Sequence, residues 1–190
     1  MDKSEIWPVI HAERKVLAAD LQGLSADQWS SVSLCGEWSV RDVTAHMTAA
    51  AVMTPPEFFV KLGRNGFKFS RLQARDIARE RGASTAETLT RFEAVVNSTR
   101  HPPGPADSWL GETIIHGEDI RRPLGITREY PAGAVARPPA AVLAACGAAL
   151  AGPAPASARE PTAAPAATRH KTRAIRIRVT LFSFYRARVS

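Results

Sequence analysis

The chain has 190 residues, 45% hydrophobic and 23% charged, which fits one globular domain with an appendage. It contains no apolar run of the ~18 residues that a membrane span needs, and Met1-Asp2-Lys3-Ser4-Glu5 opens on charges rather than a signal peptide's apolar stretch. The net charge of +7 suggests a nucleic-acid footprint, but residues 1–136 hold 16 Lys+Arg against 17 Asp+Glu, while residues 137–190 hold 9 against 1.

The basicity therefore belongs to the tail, and nucleic acid is not the expected partner of the rest. The two cysteines, Cys35 and Cys146, make no disulfide framework. The expected compartment is the cytoplasm, with no membrane partner.

In chain order, Ile6, Ile10, Leu17, Leu21 and Leu24 mark an amphipathic helix over residues 5–24, with Pro8 tolerable only in its first turn. His11 and Glu13 read as residues of its solvated face. Ser25 to Trp29 reads as a short helical turn and residues 31–38 as a loop. Ser39 is an N-cap, with Asp42 completing a capping box, and Val40, Val43, Met47 and Ala50 form the apolar face that follows. His46 falls on that inward face. A lone inward histidine is ordinary in a core; it becomes a ligand when other donors converge on it.

Pro55-Pro56 ends this helix, and Glu57 to Leu62 predicts a third helical piece. Residues 67–81 carry many charges and read as a mostly exposed helix, with a basic patch for an acidic ligand as the functional alternative. Ser84 and Glu87 cap a helix whose stripe is Leu89, Phe92, Val95 and Val96. His101-Pro102-Pro103-Gly104-Pro105 is a loop, and His101 reads as exposed there. Asp107 or Ser108 then caps a helix that ends near Pro123 and Gly125. No strand is expected before residue 135. The fold class is all-α, a four-helix bundle over residues 1–136.

The last of these helices carries Glu112 and His116 four residues apart on one face, with Asp119 three residues further on. Bundles build metal sites from side chains on facing helices. His46 with Glu112 and His116 makes a His₂Glu set, which leaves a fourth position open on zinc. The same donors also suit nickel, cobalt or iron(II).

Two segments carry a resemblance. Ser33-Leu34-Cys35-Gly36-Glu37-Trp38-Ser39-Val40-Arg41-Asp42-Val43-Thr44-Ala45-His46-Met47 and the Glu112–Gly125 stretch, with its His-Gly-Glu-Asp-Ile-Arg-Arg-Pro-Leu-Gly run, are similar to signatures of the mycothiol-dependent maleylpyruvate isomerase family. The resemblance covers roughly residues 5–130 and implies a DinB-like metalloenzyme bundle. It places the metal on His46, Glu112 and His116, with zinc as the expected ion and mycothiol, or a similar small thiol, as cofactor or co-substrate. The implied activity is isomerisation of a small electrophile or transfer of the thiol to it. The alternatives are a non-catalytic metal-binding bundle and, further off, nucleic-acid binding through the tail. A homodimer is compatible with the family.

Asp119 has two readings: acceptor for a ligand imidazole, or partner of Arg121 or Arg122. Arg41, Arg121 and Arg122 either hold a substrate carboxylate or lock helices together. Cys35 is either reactive or a small core residue, and Trp38 and Trp109 are core or pocket wall. From residue 137 onward the composition shifts to 16 Ala and 6 Pro, with a strand-like alternation over residues 173–189. This low-complexity tail departs from the family and reads as disordered or as a frameshift. Translating the gene in its other two frames tests the second idea.

Overall fold

The structure is a computed structural model that describes residues 3–131 and Ala134. The tail readings, a low-complexity linker and a strand over residues 173–189, lie outside the described residues. Among the described residues seven named helices run in order: α1 (Lys3–Gln22), α2 (Ala26–Ser30), α3 (Val40–Val52), α4 (Pro55–Arg64), α5 (Phe69–Arg81), α6 (Thr85–Glu93) and α7 (Ala106–Arg121). Among the described residues the only β-pairing is an isolated bridge, Val32 to Ser39. The fold is all-α, as its sequence pattern predicts. No helix of the described residues is long and apolar enough to cross a membrane.

Short side chains start several of the helices. Ser25 and Ser39 each accept from the backbone three residues on, and Gln28 and Asp42 return the bond, so both make capping boxes. Ser84 caps α6 by accepting from the Glu87 amide. The N-cap of α7 is Pro105 rather than the predicted Asp107 or Ser108, and no side chain caps this helix start. Pro55 and Pro56 lie in the first turn of α4 and begin it as well as closing α3. Pro8 lies inside α1; with the helix starting at Lys3, two residues earlier than predicted, it falls in the second turn and removes one helix bond there.

α3 is the central helix and packs against α2, α5, α6 and α7, while α1 packs against α6 and α7. Its run of Ala45, Ala49, Ala50 and Ala51 is buried, and small side chains let neighbouring helices approach closely. The main core joins Leu17, Leu21, Trp29, Val40, Val43, Met47, Phe92 and Ile120. A second cluster, Ile6, Ile10, Trp109 and Leu110, closes the contact between α1 and α7.

Four expectations are corrected. α5 is not mostly exposed: it buries Leu72, Ile77, Asp76 and Glu80. The two carboxylates go inside because Lys61 reaches Asp76 at 3.0 Å, and Arg79 reaches Asp76 at 2.8 Å and Glu80 at 2.7 Å. Glu13 is buried rather than solvated, held by Arg128 at 2.8 Å. His101 is half-buried, its ring 5.5 Å from Trp7 and 5.7 Å from Trp109 between centroids. His11 is half-buried as well, with Nε2 3.2 Å from the Ser98 carbonyl.

Phe92 is fully buried at the meeting of α1, α3 and α6. Phe92→Ala is expected to cost about 3–5 kcal/mol in urea unfolding, with the slope m unchanged. Ser39→Ala removes the α3 cap and is expected to cost about 1 kcal/mol. A Phe92→Ala loss under 1 kcal/mol would show that this junction is not the packed centre.

Candidate metal centre

The capping box at Ser39 fixes where α3 begins and so fixes its phase. Two turns on, His46 faces α7. There Glu112 and His116, one turn apart, lie on the buried side of their helix. The ligand atoms of these three side chains all lie within 4.8 Å of one another. His46 Nε2 is 3.5 Å from Glu112 Oε1, too long for a good hydrogen bond. Two ligands on one tetrahedral zinc, with bonds near 2.0–2.1 Å, stand about 3.4 Å apart. The two histidine rings meet edge-on, with centroids 5.1 Å apart.

The second oxygen of Glu112, Oε2, is buried and has no hydrogen-bond partner. A buried, unpartnered carboxylate oxygen costs free energy unless something positive completes its shell. Burial alone would raise the Glu112 pKa. The close approach of His46, with the neighbouring His116 and Arg14, outweighs burial and holds it below the ordinary carboxylate value. The carboxylate is thus kept ionised where a cation would want it. The donor set and the orphaned oxygen together fit a divalent metal.

Asp119 settles the orientation of His116. Its Oδ2 is 3.0 Å from His116 Nδ1. An ionised carboxylate can only accept, so the proton sits on Nδ1 and Nε2 is left for the cluster. A carboxylate behind a histidine in this way fixes tautomer and ring plane. The other partners foreseen for Asp119 are engaged elsewhere: Arg121 bonds Asp20 at 2.6 Å, and Arg122 bonds Glu118 at 2.7 Å.

Cys35, His116 and Asp119 form a second group of mutually close donors, also within 4.8 Å of one another. The half-buried thiol stands on a tight loop. Cys35 N donates to Ser33 Oγ at 3.1 Å, Ser33 Oγ donates to the Trp38 carbonyl at 2.7 Å, and Gly36 takes φ +64° in the turn. The loop is tied to α7 by the Leu34 amide, which donates to the Asp119 carbonyl at 3.0 Å. Trp38 lies beside the site, with its ring centroid 5.1 Å from His46. Trp109 instead belongs to the second apolar cluster.

The structure does not bring Arg41 or Arg122 to the cluster. Arg41 donates to Thr88 Oγ1 at 2.9 Å and to the Arg81 and Gly82 carbonyls at 3.0 Å, locking α3 to the α5–α6 junction. Arg122 is exposed on the far side of its Glu118 pair. The buried arginine that acts electrostatically on Glu112 is Arg14 of α1, whose own Nε has no partner. Sequence reasoning missed it, although Arg14 stands four residues after Ile10 and three before Leu17, on the stripe that faces the core.

A family model described as the mycothiol maleylpyruvate isomerase N-terminal domain matches residues 10–110. That is more than half of the chain. The chain belongs to this family. The match starts within α1, takes in α2 to α6, the Cys35 loop and His46, and stops in the first turns of α7, two residues before Glu112. Within this mycothiol maleylpyruvate isomerase N-terminal domain family, the Glu112–His116 half of the cluster therefore rests on geometry. Searches among curated proteins and among solved structures gave no match.

Burial lowers the pKa of His116, but the hydrogen bond to Asp119, the Cys35 thiol and the charge of Glu112 more than reverse this and raise it to about 10. The folded value lies above the unfolded 6.5, so the stabilisation is fully present below pH 6.5 and is lost as pH rises through about 10. Metal-free protein is expected to lose stability over that window, on the order of a few kcal/mol. Asp119→Asn should flatten the loss. Urea unfolding of chelator-treated protein at several pH values measures it; a flat profile for the unsubstituted chain would contradict the assignment.

Proposed function

We propose that this chain holds one divalent metal ion on His46, Glu112 and His116, with zinc as the best-fitting ion, and uses it to bind and activate a low-molecular-weight thiol. Mycothiol is the thiol that the family's description names. The reaction is isomerisation of a small electrophile or transfer of the thiol to it. The observation that carries the reading is the buried Glu112 carboxylate, placed between two imidazoles with one oxygen unpartnered.

A divalent cation supplies the charge that ionises a coordinated thiol at neutral pH. The chain's residues do the rest. His46 and Glu112 offer donors from α3 and α7. Asp119 holds the proton on His116 Nδ1 and keeps the other nitrogen free. His46, His116 and, to a lesser degree, Arg14 favour the ionised form of Glu112. Trp38 walls one side of the cluster. Three protein donors leave a coordination position for the thiol.

One observation favours a second reading. The family match ends at residue 110, and residues 137–190 hold 9 basic residues against 1 acidic. In this reading the chain is a metal-binding bundle without turnover. Domains of 1–136 and 137–190 belong to both readings as a proposal.

Purified full-length protein is expected to carry about one metal ion per chain. His46→Ala and Glu112→Gln should each lower affinity at least about tenfold. Zinc added at about 100 times its Kd should stabilise the unsubstituted chain by about 2.7 kcal/mol and leave His46→Ala nearly unmoved. Equal metal content in the chain and both variants would remove the ligand assignment. Calorimetry with mycothiol then separates the readings: an enzyme binds the thiol and turns over an electrophile, whereas a bare metal bundle does neither.

A further inference from the structure

The molecule uses its arginines in two different ways. Among the described residues, Arg14, Arg41, Arg79, Arg81, Arg91, Arg100, Arg121, Arg122 and Arg128 each bond a carboxylate or a carbonyl. Arg64, Arg71 and Arg75 do not, and neither does Lys68, their close neighbour in sequence. All four are exposed. They fall in a stretch that is basic and acid-free: residues 58–75 contain five Lys+Arg and no Asp or Glu.

The same corner exposes apolar groups. Phe59 is 51% exposed and Val60 52%, on the outer face of α4, whose inner face buries Leu62. Phe67 is 77% exposed, the highest value among the large hydrophobic residues. It sits between Gly66 and Lys68 at φ +57°, a backbone region that bulky residues avoid. Its amide is fixed to the Leu62 carbonyl at 2.9 Å, so the strained turn presents the ring outward.

Exposed aromatic and aliphatic groups ringed by unpaired cations need an occupant that is apolar inside and anionic outside. A second copy of this chain would bring four cations against four. The tail, net basic as well, is repelled in the same way. A nucleic acid would use the phenylalanines for stacking but has no use for Val60. From this we infer that the α4–α5 corner, Phe59 to Arg75, is a peripheral docking surface for an anionic lipid bilayer. Phe67 and the α4 face enter the headgroup boundary, while Arg64, Lys68, Arg71 and Arg75 pair with lipid phosphates. Such docking needs no spanning helix and is independent of the proposed metal chemistry.

The test is co-sedimentation of full-length protein with phosphatidylcholine vesicles, with or without phosphatidylglycerol. Binding should require phosphatidylglycerol and weaken as salt rises. The R64Q/K68Q/R71Q/R75Q variant should bind at least about tenfold more weakly, since each basic residue near the surface contributes. Phe59→Ser with Phe67→Ser should weaken binding several-fold while leaving the helical circular dichroism unchanged. The basic tail is present in every variant, so equal binding by the quadruple variant would assign the effect to the tail and overturn the inference. No binding to anionic vesicles at low salt would also overturn it. So would binding of single-stranded RNA, or self-association, that depends on these residues when vesicle binding does not.

Discussion

The structure depends on one electrostatic constraint: an ionised carboxylate, Glu112, inside a helical bundle. A buried charge of this kind costs several kcal/mol unless its surroundings compensate. Compensation here comes from three directions. His46 lies across from it on α3, His116 lies one turn along its own helix, and Arg14 acts from α1. Those groups still leave one oxygen bare. A core that only needed stability would place an apolar side chain there. Retaining a half-satisfied carboxylate makes sense if a cation completes it.

Holding that arrangement requires three helices in fixed phase, and the structure shows how each is set. Ser39 and Asp42 start α3. Arg121, buried at the end of α7, bonds Asp20 of α1 and the Tyr130 hydroxyl, and so ties the ligand-bearing helix to α1. Gly117 makes this possible: a Cβ there would stand 2.9 Å from Arg121 Nη1. The residue after His116 is small because the guanidinium passes beside it. α1 in turn carries Arg14, so the ion pair that anchors α7 also fixes the helix that keeps Glu112 charged.

The helices were legible because they depend on local signals. Serine caps with their partners three residues on, and apolar residues at three- and four-residue spacings, belong to the chain itself. His46, Glu112, His116 and Asp119 were legible for the same reason, since each is placed by a helix whose phase can be counted. What the sequence hides is pairing across helices. Glu13 looked solvated because its partner, Arg128, is more than a hundred residues away. α5 looked exposed because its buried Asp76 and Glu80 are charged, and only Lys61, Arg79 and Arg91 make their burial tolerable. Arg41 looked like a carboxylate clamp because a sequence shows that an arginine is present but not which carbonyls it will meet.

The candidate donors and the bonds that orient them can be placed along the described chain. The donors lie between residues 46 and 116, and the ties that orient them end at Tyr130. A carboxylate and two imidazoles on facing helices are a donor set that suits a divalent cation. Discrimination among electrophiles needs more, since specificity requires groups that contact the substrate away from the reacting atoms. Around this cluster the described residues provide Trp38, the Cys35 loop and the buried Arg14, one of whose guanidinium nitrogens already donates to the Ser98 carbonyl. Choosing an electrophile therefore calls for more surface than the described residues place around the cluster.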